Sequence, residues 1–211
     1  MTTKYNIKND ELIDILITRL IIKNKNITSL DKIIFTKLEN IKLQHINKKL
    51  NKIFPNGIEK FQKSITINYE PLQTLLIKQN FQEADKLTQQ YLCQLANLQN
   101  KSTRKWLYFT DIFLLPADDL FIIDLLWQIY SNEQFGFFIQ RKIWKKNNKN
   151  WDIFLNKIGW TNKGIMKRYP NDFIWTINAP KGHLPLFNQL RGTQVLSYLF
   201  EHHVWKEYDN N

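Results

Sequence analysis

Apolar residues recur at intervals of three and four along most of the chain, and this helical periodicity constrains the fold more than any other feature. Residues 11–22 (ELIDILITRLII) carry the pattern first. Thr28 and Asp31 then have the spacing of a capping box, which favours the start of a second helix. A third amphipathic stretch, residues 43–54, ends at a Pro-Asn-Gly turn. We therefore predict a small helical bundle over residues 1–66.

The rest of the chain, residues 67–211, continues the same periodicity but holds longer loops. A helical hairpin is predicted over residues 69–95, with Asn80 as the cap of its second helix. Further helices are predicted in the following stretches: 120–130, 139–146, 151–160 and 193–203. Residues 161–192 are interrupted by Pro and Gly, and long irregular segments in compact domains usually carry function. We expect an all-α protein of two domains, 1–66 and 67–211.

The charge of the chain is strongly positive, with 30 basic and 19 acidic residues and a net charge of +11. Residues 1–66 contain 13 basic and 6 acidic residues, a balance of +7, so the excess is concentrated at the front. Such a balance suits RNA or an anionic membrane surface. The bias toward Lys, Asn and Ile is also typical of an AT-rich genome, and no RNA-binding signature accompanies it. A solvated helical surface is the favoured interpretation, and nucleic-acid binding is an alternative.

Several classes of protein are excluded by what the sequence lacks. Cys93 is the single cysteine, so an intramolecular disulfide and a cysteine-clustered metal site are excluded, and a buried inert thiol is expected. Neither a phosphate-binding GxxxxGK[ST] loop nor a dinucleotide-binding GxGxxG motif occurs. The N-terminus lacks the composition of a signal or transit peptide.

Titratable residues offer no catalytic pair. His202 and His203 are adjacent, so on a helix they point in different directions, and we interpret them as surface histidines. Asp118 or Asp119 is expected to cap a helix, and Asp124 is expected to face solvent. The sequence therefore predicts a protein without catalytic activity.

Five fragments in the second domain carry a family resemblance: WLYFTDI (106–112), SNEQFGFFIQRKIW (131–144), KIGW (157–160), KRYPNDFIW (167–175) and APKGHLPLFNQLRG (179–192). They occur in order and are followed by VWKEY at 204–208. Together they resemble the Genomes Uncoupled Four family, the tetrapyrrole-binding regulators of magnesium chelatase in cyanobacteria and plastids. The resemblance covers residues 68–208, whereas the N-terminal region is similar only as a helical extension.

This resemblance implies an all-helical core shaped like a cupped hand, with an apolar palm and finger-like loops over a porphyrin. The palm would include Phe109, Phe135, Phe137 and Ile139. Phe135 and Phe137 have a second interpretation as ordinary core residues. Tyr169 would form a flat lid on one finger, at a position where the family commonly has Trp.

The resemblance also implies a polar rim that binds the two propionates of the porphyrin. Arg191 suits this rim because guanidinium offers a planar fork that matches a carboxylate, and Asn188 adds an amide donor. The alternative for Arg191 is that it caps neighbouring carbonyls and closes its loop. Gln89 stands where relatives often carry Arg, so one charge would be missing here. His183 is the nearest candidate for an axial ligand, but the macrocycle supplies its own four nitrogens and needs none.

The function implied is binding of protoporphyrin IX and Mg-protoporphyrin IX and activation of magnesium chelatase through its large porphyrin-binding subunit. The porphyrin would be a ligand, with no further cofactor and no protein-bound metal. A haem or bilin carrier is an alternative. The family occurs in plastids and cyanobacteria, and the lack of a transit-peptide composition with the bias toward Lys, Asn and Ile favours a plastid-encoded protein of the chloroplast stroma, or a cyanobacterial cytoplasmic one. The basic residues 1–66 suggest peripheral membrane contact. Nucleic acid is not expected as a partner of this function.

Overall fold

The computed structural model describes residues 2–60, 64–96, 106–186 and 193–206. The chain folds into two compact units, of which the first runs to Glu70 and the second begins at Pro71. The boundary expected from the sequence lies between residues 66 and 67. None of the helices in these ranges combines the length and the hydropathy of a membrane span.

The first unit is built from helices that share a buried apolar centre. Its elements are α1 (Thr2–Leu16), a π-helix (Ile17–Ile22), α2 (Ser29–Asn40), α3 (Gln44–Ile53) and a short 3-10 helix (Ile58–Lys60). Leu16, Ile17, Leu38, Ile46 and Ile53 are fully buried, so each of the longer elements contributes to this centre.

The start of α2 is fixed by a capping box and an ion pair. Thr28 and Asp31 form the capping box that their spacing predicts, so that prediction is confirmed. Arg19 of the π-helix also donates to both carboxylate oxygens of Asp31, at 2.8 and 3.1 Å. These bonds with Arg19 lower the pKa of Asp31 to about 2, against the opposing effect of burial. The paired charge joins the end of the π-helix to the first turn of α2.

The second unit is also helical, which confirms the predicted all-α class. From Glu70 onward the helices are α4 (Glu70–Ile77), α5 (Phe81–Leu95), a 3-10 helix (Phe109–Leu114), α6 (Ala117–Tyr130), α7 (Phe137–Lys146), α8 (Trp151–Lys157), α9 (Thr193–Glu201) and a 3-10 turn (His203–Trp205). The strands of the described residues are β1 (Thr161–Asn162) and β2 (Ile165–Met166), which pair antiparallel with Thr161 opposite Met166. This short hairpin was not expected from the sequence.

Helix α6 is the centre of the second unit. Every residue from Asp119 to Ile129 is buried, so the helix has no solvent-exposed face over that stretch. Trp127 stacks on Phe81 of α5 with ring centroids 6.0 Å apart, and its indole N–H donates to Thr88. The N-cap of α6 is Pro116, not Asp118 or Asp119 as the sequence suggested, and both aspartates lie in the first turn.

The prediction that Asp124 faces solvent is wrong, because this residue is fully buried in α6. Its carboxylate accepts from the side-chain amide of Gln128 and from the backbone N–H of Phe138 at 3.0 Å. It thereby satisfies one of the free N–H groups at the start of α7. Gly136 precedes that start with φ 131°, and a Cβ there would lie 2.8 Å from Asp124 Oδ1. Glycine is needed at this approach.

His202 likewise departs from its predicted surface position. Helix α9 ends at Glu201, and His202 is buried, with its Nδ1 accepting from the backbone N–H of Val204 at 3.3 Å. His203 is exposed, as predicted. Cys93 is buried, also as predicted.

Candidate functional site

The loop of residues 179–186 is held against the start of α7 by backbone and amide hydrogen bonds. The N–H of Gly136 donates to Leu184 O at 3.0 Å, and the N–H of Gly182 donates to Gln134 O at 2.8 Å. The fully buried amide of Gln140 donates to two carbonyls of the same loop, those of Gly182 and Pro185. The loop is therefore anchored to α7 up to the point where the Leu-Pro-Leu run ends.

His183 joins this loop to two others. Its Nδ1 donates to Ile158 O at 2.6 Å, and its Nε2 accepts from the backbone N–H of Ile174 at 3.1 Å. The indole N–H of Trp160 donates to His183 O. Burial lowers the pKa of His183, which favours the neutral ring that this arrangement requires. Both ring nitrogens are engaged in binding the backbone, which leaves neither for an axial bond to a metal.

The loop of residues 167–175 presents an aromatic ring to solvent. The side chain of Tyr169 is 40% exposed and meets Trp175 edge-on at 5.8 Å, while Phe173 behind it is buried. Trp175 donates to Pro170 O, and the Arg168 N–H donates to Asp172, so the loop is closed by its own bonds. Tyr169 therefore presents a flat, partly exposed ring on a loop closed by its own hydrogen bonds, and its role as a lid stays a prediction.

Phe109 lies in a second group of aromatic side chains, which are partly or largely exposed. It contacts Tyr198 of α9 at 5.1 Å, and Tyr198 also meets Phe113 edge-on at 5.5 Å. Tyr108, Phe113 and Leu114 are more than half exposed. We call Tyr108, Phe109, Phe113, Leu114 and Tyr198 the aromatic surface. Exposed apolar groups that adjoin one another are typical of binding sites.

Sequence reasoning found Phe109 of the aromatic surface but missed the other members. The available signal was the apolar and aromatic composition of residues 106–115 (WLYFTDIFLL), a connector that has no long helix in which to bury those side chains. The contribution of Tyr198 from α9 carries no comparable signal in the sequence.

Phe135, Phe137 and Ile139 are placed differently from Phe109. Phe135 and Phe137 are fully buried, and Ile139 is 6% exposed. Phe135 packs edge-on against Phe81 at 5.2 Å and Trp127 at 6.3 Å, which makes it part of the core between α5 and α6. In this conformation the two phenylalanines offer no side-chain surface to a ligand, as their alternative interpretation expects. Their contact with a porphyrin stays a prediction.

The two residues of the predicted polar rim cannot be compared with the structure. Asn188 and Arg191 lie outside the described residues. Leu186, the last described residue before them, donates its N–H to Asp85 Oδ1 of α5 at 2.6 Å. Gln89, one turn further along α5, donates to Cys93 Sγ at 3.5 Å.

Asp85 is the ionisable residue that sequence reasoning missed beside Leu186. It is 4% exposed, and burial raises its pKa to about 8, although the Leu186 N–H and the charge of Lys86 oppose this. Burial raises the pKa of the Tyr169 phenol, and the charge of Asp85 raises it further. The signal was its position on the buried face of α5, which it shares with Phe81, Ala84, Thr88 and Leu92.

Comparison with known proteins identifies relatives of the second unit and of the whole chain. A family model described as GUN4-like matches residues 62–203. The ycf53 protein of Pyropia yezoensis is 46% identical over 203 residues, which cover 96% of this chain and 85% of that protein. The Ycf53-like protein of Synechocystis is 41% identical over 175 residues, which cover 83% of this chain and 75% of that protein.

Two further relatives carry more specific names. The chloroplastic tetrapyrrole-binding protein of Arabidopsis thaliana is 34% identical over 152 residues, covering 68% of this chain and 57% of that protein. The solved structure of GUN4 from Chlamydomonas reinhardtii superimposes with a TM-score of 0.62 at 37% identity, covering 70% of this chain and 97% of that one. These relatives support a plastid or cyanobacterial origin for the chain.

Proposed function

This chain belongs to the GUN4-like family, and on that premise we propose that it binds tetrapyrroles of the porphyrin type. The observation that carries the proposal is the aromatic surface, where Phe109 and Phe113 both contact Tyr198 while Tyr108 and Phe113 remain more than half exposed. Flat apolar rings of this kind bind a flat apolar macrocycle by burying area from water. The tetrapyrrole-binding relative in Arabidopsis supports the same ligand class.

The finer proposal concerns which porphyrin is bound and to what effect. We propose protoporphyrin IX and Mg-protoporphyrin IX as ligands, and activation of magnesium chelatase through its large porphyrin-binding subunit as the consequence. Apolar side chains would contact the face of the macrocycle, with Tyr169 as a lid, and Asn188 and Arg191 would bind its propionates. The chain would act as a carrier and regulator without catalysing a reaction. It need not supply a metal ligand, because the macrocycle itself provides the four nitrogens that hold its metal.

Titration of the full chain with deuteroporphyrin, followed by tryptophan fluorescence, tests the binding. We expect saturable quenching, and we expect Phe113→Ala to weaken the affinity by roughly fivefold, since partial loss of a ring contact costs about 1 kcal/mol. Phe113 is 69% exposed, so the substitution should leave the melting temperature nearly unchanged.

Ile153→Ala is the matched control, because Ile153 is 46% exposed and lies on α8, outside the aromatic surface. It should bind deuteroporphyrin like the unaltered chain. Absence of saturable quenching would contradict porphyrin binding, and equal loss in both variants would contradict the assignment to the aromatic surface. Addition of the protein to a magnesium chelatase assay, with and without Phe113→Ala, tests the regulatory part.

The first unit supports a proposal of peripheral contact with an anionic membrane. Helix α2 exposes Leu30 by 60% and Ile33 by 64%, and the exposed Lys37 lies one turn further along. Within residues 1–66 the basic residues exceed the acidic ones by 13 to 6. Apolar side chains beside lysines on one helix favour an anionic lipid surface.

We expect the double variant Leu30→Ser, Ile33→Ser to sediment less than the unaltered chain with phosphatidylglycerol-containing vesicles. Removing two exposed apolar side chains lowers the area buried in the lipid interface without disturbing the core. Ile165→Ser is the matched control, because Ile165 is 73% exposed in the second unit. Equal sedimentation of the double variant and the control would refute the membrane contact of α2.

A further inference from the structure

Positive charge in the second domain is concentrated in one segment, residues 142–181. Residues 67–211 contain 17 basic and 13 acidic residues. The segment holds 9 of these basic residues and 2 of the acidic ones, a balance of +7, so the rest of the domain has 8 basic and 11 acidic residues, a balance of −3. A compositional bias toward Lys would enrich all parts of the domain alike. The segregation instead indicates a surface for an anionic partner.

Three lysines of this segment lie on one side of α7. Lys142, Lys145 and Lys146 have the spacing i, i+3 and i+4, and all three side chains are exposed. Lys157, at the end of α8, is also exposed, and its ammonium donates to Asn147 Oδ1 at 2.7 Å. Asn147 follows Lys146 directly. The two helices therefore bring their lysines to a common surface.

The loop of residues 179–186 adds a fifth lysine at the same place. Gly182 fits so closely against α7 and the end of α8 that a Cβ there would lie 2.8 Å from Ile143 Cδ1 and 3.2 Å from Ile158 Cγ2. Lys181 precedes Gly182 and is exposed, and Ile158 follows Lys157. Three segments thus contribute exposed lysines to one surface. We call the following five residues the basic face: Lys142, Lys145, Lys146, Lys157 and Lys181.

The side chains around the basic face favour a phosphate polymer over a lipid surface. Asn148, in the turn after α7, and Asn156 of α8 are exposed, and Asn amides donate to phosphate oxygens. Binding to lipid would need a broad apolar face beside the lysines. Within α7 and α8, both of which the structure describes in full, Ile153 is the one large apolar side chain that is exposed. A single isoleucine does not make such a face.

We propose that the basic face binds the phosphate backbone of nucleic acid without reading its base sequence. Ammonium groups that neutralise phosphates release condensed counterions, so the affinity follows the number of contacts and falls as the salt concentration rises. Lysines act here as point charges, which suits contacts that do not depend on the orientation of a base. This is a second activity of the second unit, and it does not depend on porphyrin binding.

Fluorescence anisotropy of a fluorescein-labelled DNA duplex of about 20 base pairs, titrated with the full chain, tests this activity. The fourfold variant carries Lys145→Gln, Lys146→Gln, Lys157→Gln and Lys181→Gln. At about 50 mM salt we expect it to lose at least about tenfold in affinity, and the slope of log K against log salt should become shallower by up to about 3.6, at about 0.9 per phosphate contact. Its fold should persist, because Gln and Lys have similar helix propensities and all four side chains are exposed.

The matched control replaces four exposed lysines of the first unit by Gln: Lys23, Lys25, Lys37 and Lys42. It lowers the net charge of the chain by the same amount, so it separates a local site from general attraction by a basic protein. We expect the control to lose less than about threefold in affinity, with nearly the slope of the unaltered chain. Equal losses in the two variants would overturn the proposal, as would absence of duplex binding by the unaltered chain at about 50 mM salt.

Vesicles that contain phosphatidylglycerol distinguish nucleic acid from lipid as the partner. We expect the fourfold variant to sediment with them like the unaltered chain. Loss of sedimentation together with unchanged duplex binding would assign the basic face to lipid and overturn the proposal. If circular dichroism shows that the fourfold variant does not fold, the double variant Lys145→Gln, Lys146→Gln is compared with Lys23→Gln, Lys25→Gln in the same titration. The slope should then change by up to about 1.8 in the first pair alone.

Discussion

Phe135→Ala is expected to lower the free energy of unfolding of the second unit by about 3–5 kcal/mol, the largest effect of any substitution considered in this chain. Phe135 is fully buried and packs edge-on against Phe81 and Trp127, so its removal leaves a cavity between α5 and α6. The surrounding side chains belong to helices that are packed on other sides and can relax only partly. Urea denaturation followed by circular dichroism measures the loss.

Phe109→Ala provides the matched comparison, since it deletes the same side chain from a half-buried position beside Tyr198. We expect it to cost less than about 1.5 kcal/mol in stability, because much of the ring is already in contact with water. It should nevertheless weaken deuteroporphyrin binding, whereas the folded fraction of Phe135→Ala should bind normally if Phe135 serves the core alone. If Phe135→Ala leaves stability intact and abolishes binding, Phe135 belongs to the palm and its role as a core residue is refuted.

The contrast between Phe109 and Phe135 shows why the site is harder to predict than the fold. Both are phenylalanines in fragments that resemble one family, and the sequence offers no measure of how much of each ring remains exposed. Exposure depends on what the rest of the chain places over the ring, and here Phe81 and Trp127 cover Phe135. Tyr198, which completes the aromatic surface, comes from a helix that begins after residue 192.

The helices could be predicted because their signals are local. Thr28 and Asp31 form a capping box within four residues, and the apolar spacing of α5 can be read from the 15 residues of that helix. The prediction for Asp124 was wrong because an acidic residue in an amphipathic helix is expected on the solvent-facing side. Helix α6 has no such side around Asp124. Its actual partners are Gln128 and the backbone of Phe138, and the second of these depends on how α7 packs on α6.

Contacts between distant segments are the part that periodicity cannot supply. Asp85 meets Leu186 across 101 residues, and His183 meets Ile158 across 25. Neither pair has a sequence spacing from which its contact could be predicted. What the sequence does offer is an acidic residue on the buried face of α5, and a buried acidic group with a strongly shifted pKa is a reasonable indicator of function.

Arg191→Ala is expected to weaken binding of a porphyrin diacid by about 1–3 kcal/mol, or roughly 5- to 150-fold, because a charge-assisted hydrogen bond to a propionate is lost. Arg191→Lys should recover only part of this affinity, since an ammonium keeps the charge but loses the planar fork. Titration with deuteroporphyrin at about pH 7, where Asp85 is largely neutral, measures the effect. Arg168→Ala is the matched control, because Arg168 is exposed on the loop of residues 167–175 and its backbone, not its side chain, makes the bond to Asp172.

The ligand itself separates a propionate partner from a residue that merely closes its loop. Esterifying both propionates should weaken binding to the unaltered chain and leave Arg191→Ala nearly indifferent, because the interaction that the ester removes is already absent from the variant. A loop-closing arginine would behave differently: its loss would lower the affinity for diacid and diester by the same factor. Equal losses from esterification in the variant and in the unaltered chain would therefore assign Arg191 to the loop and leave the propionates to another donor, of which Asn188 is the nearest in sequence.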